Sequence, residues 1–254
     1  MLQVRRDAEI YRTDGGWFRA RWHFSFDQYR DPENMGVGAL RVFNDDILVP
    51  GATWPMHPHR DVEGITYIPS GHFRHADSLG NGGILERGAV QRMTLGSGAL
   101  HSESNASESE EVRFLQFWIL PDTPSLPPSN VQQQFDPEVD FLDQLRCVVA
   151  PAEGHARSGS EPTDVGAVTV HQDARVFIGM LNVGARVERP FAADRAGYLY
   201  VIEGSVRLRE HELATGDAVK IFGPDIVELV AEARSHVILI EVPAEFTPVG
   251  VWAR

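Results

Sequence analysis

Two short stretches of the chain carry side chains suited to holding a metal ion. His57-Pro58-His59 places two imidazoles at positions i and i+2, and His101-Ser102-Glu103 places an imidazole and a carboxylate at the same spacing. On an extended strand such pairs project to one face, with the middle residue pointing away. One pair alone would fit ordinary strand histidines with routine hydrogen bonds. A second pair, reached after glycine-punctuated hairpins that return the chain beside the first, brings four donors toward one interior point. Imidazole nitrogen and carboxylate oxygen suit borderline divalent ions, and the lack of thiolate argues against a purely structural zinc site. A four-ligand His/Glu set leaves coordination positions open to a reactant. Glu63 competes for the carboxylate role, because an undistorted strand would turn it toward His57 and His59 as well; spacing does not choose between Glu63 and Glu103.

Elements able to hold such pairs are short strands. Apolar or alternating runs at Ala39 to Phe43, Gly64 to Ile68, His72 to Ser78, Ala89 to Thr94, Ala99 to Ser104 and Val112 to Leu120 read as strands, and Asn81-Gly82 supplies a tight-turn signal. With 23 glycines and 16 prolines in 254 residues and little helical periodicity, the expected class is all-β. The proline-rich stretch Leu120 to Pro128, followed by Gln132-Gln133-Gln134, reads as an interdomain connection, with strand-like sequence returning near Leu145; Gly154 to Gly166 reads as an exposed loop. Tyr67-Ile-Pro-Ser-Gly-His-Phe-Arg74 aligns with Tyr200-Val-Ile-Glu-Gly-Ser-Val-Arg207, and a second glycine turn follows in each half, at Gly88 and Gly216. Two copies of one β-barrel motif are the economical reading. The expected domains are therefore residues 1–130, carrying the metal, and residues 131–254, a second barrel without ligands.

A formal net charge of -13 with no basic run disfavours direct nucleic-acid binding. No apolar segment reaches the ~20 residues that span a bilayer, and no signal-like segment opens the chain, so a cytoplasmic location is expected. The lone cysteine, Cys147, sits beside Val148 and Val149 and reads as a buried strand thiol. His72 and His75 have odd spacing and face opposite ways, with His75 the more suited to a structural interior role. His23, His155, His171, His211 and His236 are isolated in sequence and receive no function, and Glu108 to Glu111 reads as a solvated acidic loop.

Beyond these pairs, the motifs Trp22-His-Phe-Ser-Phe26, Asp31-Pro-Glu-Asn-Met35, Leu40-Arg-Val-Phe-Asn-Asp-Asp46, Met56-His-Pro-His-Arg-Asp61, Asp77-Ser-Leu-Gly-Asn-Gly82, Gln91-Arg-Met93, Gly98-Ala-Leu-His-Ser-Glu103 and Gln116-Phe-Trp-Ile-Leu-Pro121 resemble the signatures of the pirins, two-barrel members of the cupin superfamily. The resemblance is dense over the first half and one of pattern only from about residue 145. It implies a bicupin of two jelly-roll barrels, with one divalent ion held by His57, His59, His101 and Glu103, so favouring Glu103 over Glu63. It implies Fe(II) first, with Zn, Mn, Ni, Co or Cu as alternatives. The similarity extends to flavonol 2,3-dioxygenases of the quercetinase type, which implies a small aromatic substrate such as a flavonol, dioxygen as co-substrate, and Glu103 as general base. Resemblance to pirins that act as transcription cofactors implies the competing class, a non-enzymatic, metal-responsive regulator with a protein partner. Two departures stand out. Gly64 and Pro69-Ser70 replace bulkier or donor-bearing residues, and predict a bulged strand or a wider pocket.

Overall fold

The computed structural model describes residues 1–156 and 166–253, and the described chain is built almost wholly of strands, as its turn-rich sequence requires. A seven-stranded sheet runs in spatial order Ser129–Gln134, Ala89–Thr94, Glu63–Ser70, Val112–Ile119, Leu40–Leu48, Phe18–Trp22, Tyr11–Asp14. Its partner is a four-stranded sheet ordered Thr53–His59, Ala99–Asn105, Phe73–Asp77, Gly82–Leu85. The second half repeats the plan, with the order Leu2–Arg5, Ala218–Phe222, Arg195–Glu203, Ser235–Pro243, Arg175–Leu181, Arg146–Pro151, Val168–Val170, beside a four-stranded sheet. The Tyr67 and Tyr200 strands hold equivalent central places, and the turns after them use Gly71 and Gly204 at φ +85° and +86°, a left-handed conformation that glycine adopts without a Cβ clash.

Central strands such as Arg175–Leu181 and Ser235–Pro243 are buried along their whole length because both faces of each large sheet are covered. One core cluster joins the two large sheets back to back, with Phe43, Tyr67 and Phe117 from the first half against Tyr198, Tyr200 and Ile238 from the second. Polar bonds cross the same seam: Tyr67 Oη lies 2.9 Å from His236 Nε2, and Tyr200 Oη donates to Asp45 at 2.5 Å. The two barrel interiors differ. The second is filled by a continuous apolar cluster that includes Leu199, Val219 and Leu239, whereas the first holds two small apolar clusters, around Phe73 and around Leu95.

Several details depart from the sequence expectations. The glutamine-rich stretch is not a bare connection, because Ser129–Gln134 pairs along Ala89–Thr94 as an edge strand, where polar side chains and one free backbone edge face solvent. The barrels also exchange ends, since Leu2–Arg5 pairs with Ala218–Phe222 of the second half, and residue 130 falls inside a strand of the first sheet. Asn81-Gly82 is not the centre of a two-residue turn. Positive φ falls on Gly80 and Gly83, and Asp77 closes the loop by accepting from the backbone N–H of Leu79 and Asn81. The bulge expected at Pro69 is present, with Arg113 opposite Ser70 but Leu115 opposite Tyr67. Cys147 is a buried strand thiol. The greater part of the expected loop 154–166 lies outside the described residues.

Candidate metal centre

His57 and His59 end the edge strand of the four-stranded sheet, and the antiparallel register sets His101 directly opposite His57. The donor atoms of these three histidines lie within 4.8 Å of one another. Ring centroids are 4.5 Å apart for His57 and His101, 4.8 Å for His57 and His59, and 5.1 Å for His59 and His101. His57 Nδ1 lies 2.8 Å from the Pro55 carbonyl oxygen; donating there fixes the tautomer and leaves Nε2 with a free lone pair. The Trp118 ring packs edge-on against His59 at 4.7 Å. Burial holds His59 down to about 4, and burial together with the neighbouring imidazoles holds His101 down to about 2, so all the pressure is toward neutral, ligating rings. Both ring nitrogens of His101 are buried without a hydrogen-bond partner among the described residues. A divalent ion fits this donor set and would satisfy one of them.

Glu103 follows a register slip, lying opposite Trp54 rather than two residues along from the His57 pairing. It is not one of the three residues whose donor atoms cluster; its carboxylate lines the same cavity and accepts a hydrogen bond from Gln116 Nε2. Burial pushes it up to about 8, opposed by that bond. Glu63 does not point to the histidines. The chain reverses at Arg60 to Val62, with Asp61 at φ +51°, and crosses to the large sheet. There Glu63 accepts from Thr94 Oγ1 at 2.9 Å and lies 2.7 Å from His171 Nδ1, tying the two halves together. His171, isolated in sequence, therefore has a structural partner. His75 is buried against Met93 Sδ at 3.1 Å, consistent with an interior role, and His72 is exposed.

His57 and His59 open on a cavity of about 600 Å³, within the span of about 300–1,000 Å³ typical of small-molecule sites. Trp17, Trp22, Trp54 and Trp118 supply aromatic walls, and Asn44, Asp46 and Gln116 add polar groups to the lining. Burial raises the Asp46 carboxyl well above its ordinary range, reinforced by nearby Glu103 and Asp45. These residues were missed as site members in the sequence. The available signal was the pair Asn44 and Asp46 at i, i+2, on the face opposite Asp45, in a buried central strand.

Comparison with known proteins finds matches over both halves of the chain. A family profile described as Pirin matches residues 3–119, and one described as Quercetinase C-terminal cupin domain matches residues 159–242. A Zymomonas mobilis relative is 37% identical over 94% of this chain and 97% of its own length. A relative from Escherichia coli K12 named quercetin 2,3-dioxygenase is 33% identical over 96% of this chain and 99% of its own. The crystal structure of the bacterial pirin YhhW from Escherichia coli in complex with nickel(II) superposes with a TM-score of 0.85 at 31% identity, covering 98% of this chain and 100% of that one. The fold is thus an all-β bicupin. Among the described residues no helix is long and apolar enough to cross a membrane.

Proposed function

The chain belongs to the pirin family, and from that premise we propose that it is a metal-dependent dioxygenase that opens the ring of a flavonol with dioxygen. The observation that carries the reading is the three-histidine cluster, two of whose members line an aromatic cavity large enough for a polycyclic substrate. The name of the Escherichia coli relative supports the substrate class.

Within this reading His57, His59 and His101 hold one divalent ion, with Fe(II) as the native metal and Glu103 as the fourth ligand. Bound there, the ion supplies Lewis-acid polarisation of a flavonol hydroxyl and redox access to dioxygen. The protein residues have separate tasks. Indole faces of the cavity wall stack the planar substrate and exclude water. Trp118 keeps the His59 ring in place. Gln116 engages Oε1 of Glu103, and Oε2, once loosened from the ion, would take the proton of the substrate hydroxyl. The second barrel, whose interior is apolar throughout the equivalent region, contributes packing rather than chemistry. A cytoplasmic location completes the reading.

Oxygen uptake together with loss of flavonol absorbance, measured with quercetin on metal-loaded protein, tests it. The wild type is expected to turn over, Glu103→Gln to lose most of kcat, and His101→Ala to lose metal and activity together. Fully metal-loaded wild type that consumes no oxygen would refute the enzyme reading, and retention of a protein partner that changes with metal state would then identify a regulator.

A further inference from the structure

Polar side chains inside a β-barrel cost stability unless they are hydrogen-bonded. The first barrel carries a row of them. In register across four neighbouring strands, Gln91 lies opposite Thr66, Thr66 opposite Gln116, and Gln116 opposite Asn44, and all four are buried. At the equivalent points of the second barrel, set by the Tyr67 and Tyr200 repeat, the same row reads Val219, Leu199, Leu239 and Phe177. All of these belong to the apolar cluster. The fold therefore does not require the polar row, which occurs only in the barrel that carries the imidazoles.

Both ends of the row carry an unmet demand, at Asn44 Oδ1 and at Gln91. Gln91 Nε2 is buried with no protein partner, and so are both ring nitrogens of His101. Gln91, Thr66, Gln116 and His101 border one small internal void of about 10 Å³, flanked by Met93 and Trp118. That is about the space that one water molecule needs. If one nitrogen of His101 faces a metal ion, the other carries a proton and must donate. Gln91 Nε2 is also a donor, and two donors cannot satisfy each other, whereas an oxygen between them satisfies both.

We propose that this void is a water-binding site, in which one water accepts from the outer ring N–H of His101 and from Gln91 Nε2. Thr66 and Gln116 offer oxygens on the same void to receive the water's two protons. Gln91 is thereby a positioning residue, which fixes the tautomer and ring orientation of the third metal ligand without touching the metal. The inference rests on the metal reading of the histidine cluster.

Nickel(II) affinity, measured on chelator-stripped protein by competition with a metal-binding dye, tests it without any turnover. Gln91→Val installs the residue type that the second barrel carries at the same point. It is expected to weaken Ni(II) binding about 10–100-fold. The metal-free variant should melt close to the wild-type temperature, because valine is accommodated at the same point of the second barrel. Nuclear magnetic resonance of the Zn(II)-loaded wild type gives a second readout that does not depend on how the variant folds. Magnetisation transfer from a bound water to the His101 ring N–H and the Gln91 amide is expected. Wild type that binds no Ni(II) would overturn the metal reading beneath this inference. Wild type that binds Ni(II), with equal affinity in Gln91→Val or no water contact at His101, would overturn the inference alone.

Discussion

Replacing Glu103 by glutamine should stabilise the metal-free protein at neutral pH and lose that advantage in acid. Glu103 is 3% exposed, and burial pushes its carboxyl up to about 8 from an ordinary value of 4.5. Below about pH 4.5 folded and unfolded chains both hold the proton, so burial of the group carries no ionisation cost there. As pH rises from about 4.5 to about 8 the unfolded chain releases its proton and the folded chain does not, and stability falls through that window. At pH 7 the gap above 4.5 is about 2.5 pH units, which at ~1.36 kcal/mol per unit amounts to about 3 kcal/mol. Glutamine has nearly the same shape and nothing to ionise. For a chain of this size a kcal/mol moves the melting temperature by about 2–4 °C, so Glu103→Gln should melt about 6–12 °C above the wild type at pH 7. Scanning calorimetry of chelator-treated protein at about pH 5 and about pH 7 measures the difference, which should shrink strongly at the lower pH. A variant that melts at or below the wild type at neutral pH, or a difference independent of pH, would refute the reasoning. A bound dication favours the carboxylate, and metal loading should therefore raise the wild-type melting temperature more than that of the variant.

Elemental analysis should find about one metal per chain in the wild type and nearly none in His59→Ala or His101→Ala, which leave two imidazoles. Glu63→Gln should keep its metal and instead lose about 1–3 kcal/mol of stability in urea unfolding, because it removes the charged acceptor through which His171 joins the halves. Tyr67→Phe deprives the buried His236 Nε2 of its contact with the tyrosine hydroxyl, and should cost about 1–3 kcal/mol by the same assay. Tyr200→Phe should cost less, since Arg113 still donates twice to Asp45. Burial holds His236 down to about 3, whereas an unfolded histidine titrates near 6.5. The unfolded chain thus takes up a proton first, and stability should decline as pH falls from about 6.5 toward 3; His236→Gln, read by acid titration of unfolding, should flatten that decline.

The histidine pairs were legible in the sequence because strand geometry is local: spacing of two residues puts His57 and His59 on one face, whatever surrounds them. The repeat around Tyr67 and Tyr200 was legible for a similar reason, since turns that demand glycine at positive φ leave a fixed mark in the chain. What spacing could not supply was the direction of Glu63. Its place depends on a reversal at Asp61 that transfers the next strand to another sheet, where His171, 108 residues away, becomes its partner. Nor could it supply the polar row from Gln91 to Asn44, whose members come from four strands and meet only through cross-strand register. The edge strand at Ser129–Gln134 resembles a connection in sequence because an edge need bury only one side and shows no apolar signature. Local backbone geometry thus determined the three imidazoles, the all-β class and the doubling of the barrel. Tertiary register alone decided that Glu103 shares their cavity while Glu63 does not, and that Trp118, Gln116 and Gln91 surround them, because contacts between distant strands depend on pairing that no local spacing encodes.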